Sequence, residues 1–169
     1  MIKPKCAKTG ARKAKEVPEP IRSNATEKGP DSLQKNLRVL IVDDEVPIHR
    51  SLARMMKRKL GECSISGAEN GKTAMELLER EDFGLILLDL DMPEMKGTDV
   101  VRALKESGRE DLIDKVVIHS ASACSDLNPD VNELVGGRLL EKTGNMDELL
   151  EVLEFAKEGR VKEWKPAPA

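Results

Sequence analysis

The chain has 169 residues, with 28 Lys and Arg against 31 Asp and Glu and a formal charge of −3, which suits one folded domain with tails rather than two full domains. Hydrophobic residues make up 39% and charged residues 35%, and the three aromatics are Phe83, Phe155 and Trp164, so the core must be aliphatic and stacking on nucleobases has little to work with. The longest apolar run, Gly84 to Leu88, is far short of the roughly 20 residues that cross a bilayer, while Cys6, Cys63 and Cys124, an odd number without C-x-x-C spacing, argue against a disulfide framework or structural zinc and point to a reducing cytoplasm.

Residues 1–36 are expected to be a disordered basic tail. Nine Lys and Arg stand against four acidic residues there, with Pro4, Pro18, Pro20 and Pro30 and few large apolar side chains. Such a segment cannot bury enough surface to offset its ordering entropy. Its charge allows at most weak contact with nucleic acid or anionic lipid. The chain changes character at Leu37. Arg38-Val39-Leu40-Ile41-Val42 is a β-branched run closed by Asp43-Asp44-Glu45, and Cys63 to Ser66 is a weaker run. Gly84 to Leu88, closed by Asp89, is a third, Val116 to His119 a fourth and Arg138 to Leu140 a short fifth. Each reads as a buried strand.

Between the strands the apolar spacing is helical: Ile48, Leu52, Met55 and Leu60; Ala74, Leu77 and Leu78; Val100, Val101 and Leu104; Met146, Leu149, Leu150 and Leu153. Asn128-Pro129 reads as an N-cap followed by proline at the first helical position, predicting a short fourth helix over Pro129 to Leu134. A folded domain over 37–158 and a short C-terminal tail over 159–169 follow, with Trp164 expected to fold back onto an apolar patch. Strands apolar throughout and separated by amphipathic helices predict an α/β fold: a doubly wound five-stranded parallel sheet with helices on both faces.

Folds of this kind put their chemistry outside the carboxyl ends of the strands, and those ends are acidic. The first strand stops at Asp43-Asp44 and the third at Asp89, with Asp91 two residues on. Clustered carboxylates either share protons or hold a hard cation, and oxygen ligands suit Mg²⁺. The fourth strand ends in the hydroxyl of Ser120 and the fifth is followed by Lys142. Carboxylates for a metal, a hydroxyl and an ammonium around one Asp form a phosphoryl-binding set.

Residues 37 to about 158 resemble the receiver domain of two-component response regulators. The resemblance rests on Val39 to Glu45, on Leu85 to Gly97 with its Asp89-Leu90-Asp91-Met92-Pro93, on Ser120-Ala121 and on Lys142. It implies a flavodoxin-like sheet of strand order 2-1-3-4-5. It further implies that Asp89 accepts a phosphoryl group from a sensor histidine kinase or a histidine phosphotransfer protein. Mg²⁺ would be bound by Asp44 and Asp89, by the backbone carbonyl of Asp91 and, through a water, by Asp43. Lys142 would contact the phosphoryl oxygens, and Ser120 would move toward them. Output would go to a protein partner at the face of the fourth helix, fifth strand and fifth helix, from a stand-alone regulator that is not a dedicated enzyme beyond self-dephosphorylation. The chain departs from the pattern where Leu139 stands in place of an aromatic, Thr143-Gly144 follows Lys142 in place of proline, and Ser120 replaces threonine.

Rival readings exist. Asp43-Asp44 alone would be an ordinary helix N-cap. His49 reads as a partly exposed helix residue without a role, and His119 as a strand-end histidine rather than a pH sensor. Leu87 to Asp91 also resembles the nucleophile strand of haloacid-dehalogenase-type phosphatases, but that motif does not continue into Pro93 and leaves Asp43-Asp44 unexplained. A degenerate receiver that binds partners without phosphorylation is the other alternative.

Overall fold

The computed structural model describes residues 36–121, 128–142 and 146–167. In chain order these hold β1 (Leu37–Val42), α1 (Val46–Leu60), β2 (Cys63–Ala68), α2 (Gly71–Arg80), β3 (Leu85–Leu88), α3 (Gly97–Glu106), α4 (Glu110–Ile113), β4 (Val116–Ser120), α5 (Pro129–Leu134), β5 (Leu139–Glu141) and α6 (Met146–Lys157), followed by a 3-10 turn at Val161–Glu163. The strands form one parallel sheet in the order β2-β1-β3-β4-β5, as expected. The central strands β1, β3 and β4 are buried almost end to end because helices cover both faces.

Alternation along each strand sorts the core into two layers. Leu40, Val42, Ile86, Leu88, Val116 and Ile118 pack with Ala74 and Leu78 of α2, Val100, Val101 and Leu104 of α3, and Val131 of α5. Val39, Ile41, Leu85, Leu87, Val117 and Leu140 face the other way, onto Leu52, Met55 and Met56 of α1 and Leu149, Val152 and Leu153 of α6. The helices are stopped and started locally. Asn70 accepts a hydrogen bond from the Thr73 amide at the start of α2, 2.8 Å, and Asn128 accepts one from Asp130 at the start of α5, 2.9 Å, with Pro129 as its first residue. The short fourth helix read from Asn128-Pro129 is therefore α5.

Two features were not anticipated. The one-turn helix α4 precedes β4 and buries Leu112 and Ile113; four residues are too few to show a helical period. The core also continues past residue 158, where the sequence reading ended the domain. Val161 and Trp164 are buried in the α1/α6 layer, and the Trp164 indole donates to Glu151 at 3.2 Å. Trp164 folds back as expected, but as part of that core rather than of a tail. Arg138 is buried as well, donating from Nε to the Val116 carbonyl at 2.9 Å and from Nη2 to the Ile113 carbonyl at 2.7 Å. It ties the α4–β4 connection to the start of β5. The readings placed on residues 1–35, Cys124 and Thr143-Gly144 lie outside the described residues.

Candidate functional site

At the carboxyl edge of the sheet, the hydrogen-bond ladder runs one residue past three strand ends. The Asp43 amide donates to Ala68 O at 3.0 Å, the Asp89 amide to Val42 O at 2.8 Å and the Lys142 amide to Ser120 O at 3.0 Å. Each functional side chain is thus held by a backbone bond to a neighbouring strand. The two-residue alternation places Asp43 after Ile41, Asp89 after Leu87 and Lys142 after Leu140, all on the α1/α6 side of the sheet. Ser120 continues Val116 and Ile118 on the opposite side. The site therefore bridges the two layers at the edge where β1 and β3 lie side by side.

Asp43, Asp44 and Asp89 each offer a carboxylate oxygen, all within 4.8 Å of one another. Asp43 and Asp89 are 1% and 3% exposed, whereas Asp44 opens to solvent. Lys142 reaches into this group from the end of β5. Its Nζ donates to Asp89 Oδ2 at 2.7 Å and lies 2.9 Å from Asp43 Oδ2 and 3.6 Å from Glu45 Oε1. The contact to Asp89 is a hydrogen bond. The contact to Asp43 is an ion pair that does not meet hydrogen-bond geometry, and among the described residues Asp43 Oδ2 is buried without a hydrogen-bond donor. For Lys142 burial is the largest single influence and lowers its pKa, but the contacts with Asp89 and Asp43 together reverse this and raise it above the ordinary lysine value. Lys142 is a fixed positive charge.

One ammonium faces three aspartates and Glu45, so the cluster carries uncompensated negative charge. The donors are hard carboxylate oxygens, the chemistry of a Mg²⁺ site rather than of a transition metal. The Ser120 hydroxyl, 1% exposed, has no hydrogen-bond partner among the described residues. A buried hydroxyl without a partner costs free energy, and a ligand bringing acceptor oxygens to this edge would satisfy it. Asp91 is exposed, and its amide makes a long contact of 3.4 Å with Asp89 Oδ1. The structure thus brings Asp43, Asp44, Asp89 and Lys142 together and sets Ser120 and Asp91 at the same edge.

The turn after Asp89 is shaped by two backbone features. Glu94 has φ of 66°, a conformation that costs an L-residue roughly 1–2 kcal/mol. Gly97 opens α3 so close to β3 that a Cβ there would stand 2.1 Å from the Asp89 carbonyl oxygen. Sequence reasoning overlooked two participants. Glu45 approaches Lys142 from the rim, and its position after the Asp pair was the available signal. His49, given no role above, donates from Nε2 to the Asp43 carbonyl at 2.6 Å. A contact to a main-chain oxygen leaves no trace in residue type or spacing. His119 is buried, and burial, opposed by Asp43, lowers its pKa below the ordinary histidine value. It lies near the end of β4, where the sequence placed it.

The model of the response regulator receiver domain matches residues 39–154. The chain belongs to this family. The receiver assignment is joined by curated relatives. Over 115 residues, 68% of this chain and 13% of the relative, it is 36% identical to the autoinducer 1 sensor kinase/phosphatase LuxN of Vibrio campbellii. Over 122 residues, 72% of this chain and 55% of the relative, it is 30% identical to the nitrate/nitrite response regulator NarP of Escherichia coli. The chain therefore spans between about an eighth and about half of the length of these relatives. Among solved structures, the receiver fold is shared with the response regulator TrrA of Thermotoga maritima, determined in complex with Mg²⁺–BeF. That match has a TM-score of 0.57 at 27% identity and covers 71% of this chain and 98% of that one. It is also shared with a CheY-like receiver domain from Methanospirillum hungatei, TM-score 0.60 at 21% identity, covering 77% and 100%. No described helix is long and apolar enough to cross a membrane.

Proposed function

We propose that this receiver domain is phosphorylated on Asp89 by a sensor histidine kinase or histidine phosphotransfer protein, in a Mg²⁺-dependent reaction, and signals through a protein contact. The observation that carries this reading is the Lys142 ammonium bonded to Asp89 within a cluster of three aspartates. Asp44, Asp89 and the Asp91 carbonyl would hold the cation, with Asp43 acting through water. Bound there, Mg²⁺ would supply positive charge to offset that of the incoming phosphoryl group. Asp89 is the nucleophile because it is central, buried and already oriented by Lys142. A carboxylate attacks an anionic phosphoryl group only when the charge repulsion is relieved. Lys142 provides part of that relief by passing its contact from the Asp89 carboxylate to the phosphoryl oxygens. Ser120, buried without a partner, would donate its hydroxyl to the same oxygens. Its displacement from the α2/α3/α5 layer is the local event that phosphorylation would impose on the fold.

An aromatic switch is not available. Leu139 holds the position at the start of β5 and packs, partly buried, against the α2/α3/α5 layer. The output surface would be α5, β5 and α6, the face expected from the sequence for the fourth helix, fifth strand and fifth helix. The chain's own turnover would be loss of its phosphoryl group, not catalysis on a separate substrate. The cytoplasm, where phosphohistidine donors and Mg²⁺ are found, is the compartment this chemistry needs.

Intact-mass spectrometry after incubation with Mg²⁺ and a small-molecule phosphodonor tests the reading. A single phosphoryl adduct is expected, absent with EDTA, absent in Asp89→Asn and removed by hydroxylamine. Folded wild-type protein that forms no adduct would refute it.

A further inference from the structure

His49 lies in the second turn of α1 and the phosphoryl-binding role above makes no use of it. Its surroundings are specific. Nε2 donates to the Asp43 carbonyl at 2.6 Å; that oxygen belongs to the peptide joining Asp43 to Asp44. A peptide unit is planar, so holding its oxygen sets the plane and the direction in which the chain delivers Asp44. The other contacts of Asp43 act elsewhere: its amide binds Ala68 O, Oδ1 accepts from the Glu45 amide at 2.9 Å, and Oδ2 faces Lys142. Among the described residues Asp44 itself makes no hydrogen bond or ion pair, and its side chain is exposed. The bond from His49 is thus the one hydrogen bond these residues make to the Asp43–Asp44 peptide.

The ring is seated by β2. A Cβ on Gly67 would stand 2.6 Å from His49 Nδ1 and 3.2 Å from Cε1, so the absent side chain at Gly67 is what admits the imidazole. Two separate elements, α1 and β2, therefore converge on one backbone oxygen of the acidic turn.

We propose that His49 is a positioning residue for the cation site: by fixing the Asp43–Asp44 peptide it presents the Asp44 carboxylate to Mg²⁺. The inference rests on the function proposed above and extends it to a residue that touches neither the metal nor the phosphoryl group. Groups that orient metal ligands without binding the metal typically govern affinity by 10- to 100-fold.

The test is calorimetric titration of Mg²⁺ into the full chain, with thermal unfolding in EDTA measured alongside. His49→Phe keeps a ring of similar shape and removes the donor; His49→Gln keeps an N–H at similar reach. Expected are Mg²⁺ binding roughly 10-fold weaker in His49→Phe, recovery to within about threefold of wild type in His49→Gln, and EDTA melting temperatures close to wild type in both. Gly67→Ala, which displaces the ring from the other side, should weaken Mg²⁺ binding as His49→Phe does. Unchanged Mg²⁺ affinity in His49→Phe, with wild type binding, overturns this inference alone. So does an equal loss in the Phe and Gln variants accompanied by a lowered melting temperature, which would make His49 a packing residue. Wild type that takes up no Mg²⁺ overturns the proposed cation site and this inference with it.

Discussion

Gly97→Ala is the substitution whose outcome the geometry specifies most closely. The added methyl would lie 2.1 Å from the Asp89 carbonyl oxygen, 2.9 Å from its carbonyl carbon and 3.0 Å from the Leu90 Cα. Ordinary contact begins near 3.4 Å, so α3 and the end of β3 must separate by roughly 1 Å. All three obstacles are backbone, and rotamer changes cannot relieve them. Overpacking of this kind costs about 1–3 kcal/mol, the upper part of the range applying when main chain must move. At the start of a helix alanine recovers at most about 1 kcal/mol of propensity. The net expectation is a loss of about 1–2 kcal/mol in urea unfolding. Because the displaced atoms belong to Asp89 itself, phosphorylation by a small donor should slow by about 100-fold, the usual effect of a 1 Å error in a reacting group. Gly71→Ala is the matched control. Its methyl would meet Met95 Cγ and Val100 Cγ2 at 2.8 Å and Met95 Cβ at 3.0 Å, side-chain atoms of the α2/α3 layer rather than backbone of Asp89, so it should cost a similar amount of stability, about 1–3 kcal/mol, with no loss of phosphorylation rate. Wild-type stability and wild-type phosphorylation in Gly97→Ala would refute the argument, as would an equal loss of phosphorylation rate in both substitutions.

Two further outcomes follow from buried polar groups. Burial lowers the pKa of His119 below 6.5, its ordinary value, so the unfolded chain takes up the proton more readily; the stability this represents is complete above pH 6.5 and is lost as pH falls through the lower folded value. Urea unfolding between pH 7.5 and 5 should show a steeper loss for wild type than for His119→Leu, and parallel curves would exclude His119 as the source. Arg138→Lys should destabilise the fold by about 2–4 kcal/mol, because one ammonium cannot reach both carbonyls that the guanidinium fork spans and a buried charge is left short of partners. A chemical denaturation midpoint within error of wild type would show that the Val116 and Ile113 contacts contribute nothing.

The sheet, its parallel strands and the acidic edge were legible from residue order because strand burial and helical spacing are local patterns that survive in one dimension. Val39 to Asp44 and Leu85 to Asp89 carry their own strand and its end together, so the clustering of Asp43 and Asp89 follows once the two strands are neighbours. Lys142, 53 residues after Asp89, was legible as a charge following the fifth strand, but its bond to Asp89 was not, since nothing local aims it at the aspartates. α4 was invisible because one turn shows no period. The continuation of the core through Val161 was invisible because the three-residue turn that carries it is too short to show a period.

What the sequence determined by itself is the list of chemical groups and the strand ends on which they sit. Tertiary structure decided which of them touch. It brought Lys142 onto Asp89, left the Ser120 hydroxyl buried without a partner, and turned His49 from an ordinary helix residue into the donor on the Asp43 carbonyl. The physical reason is that these contacts depend on distances of 2.6 to 2.9 Å between elements far apart in the chain or on main-chain atoms that every residue shares. Neither leaves a mark on residue identity.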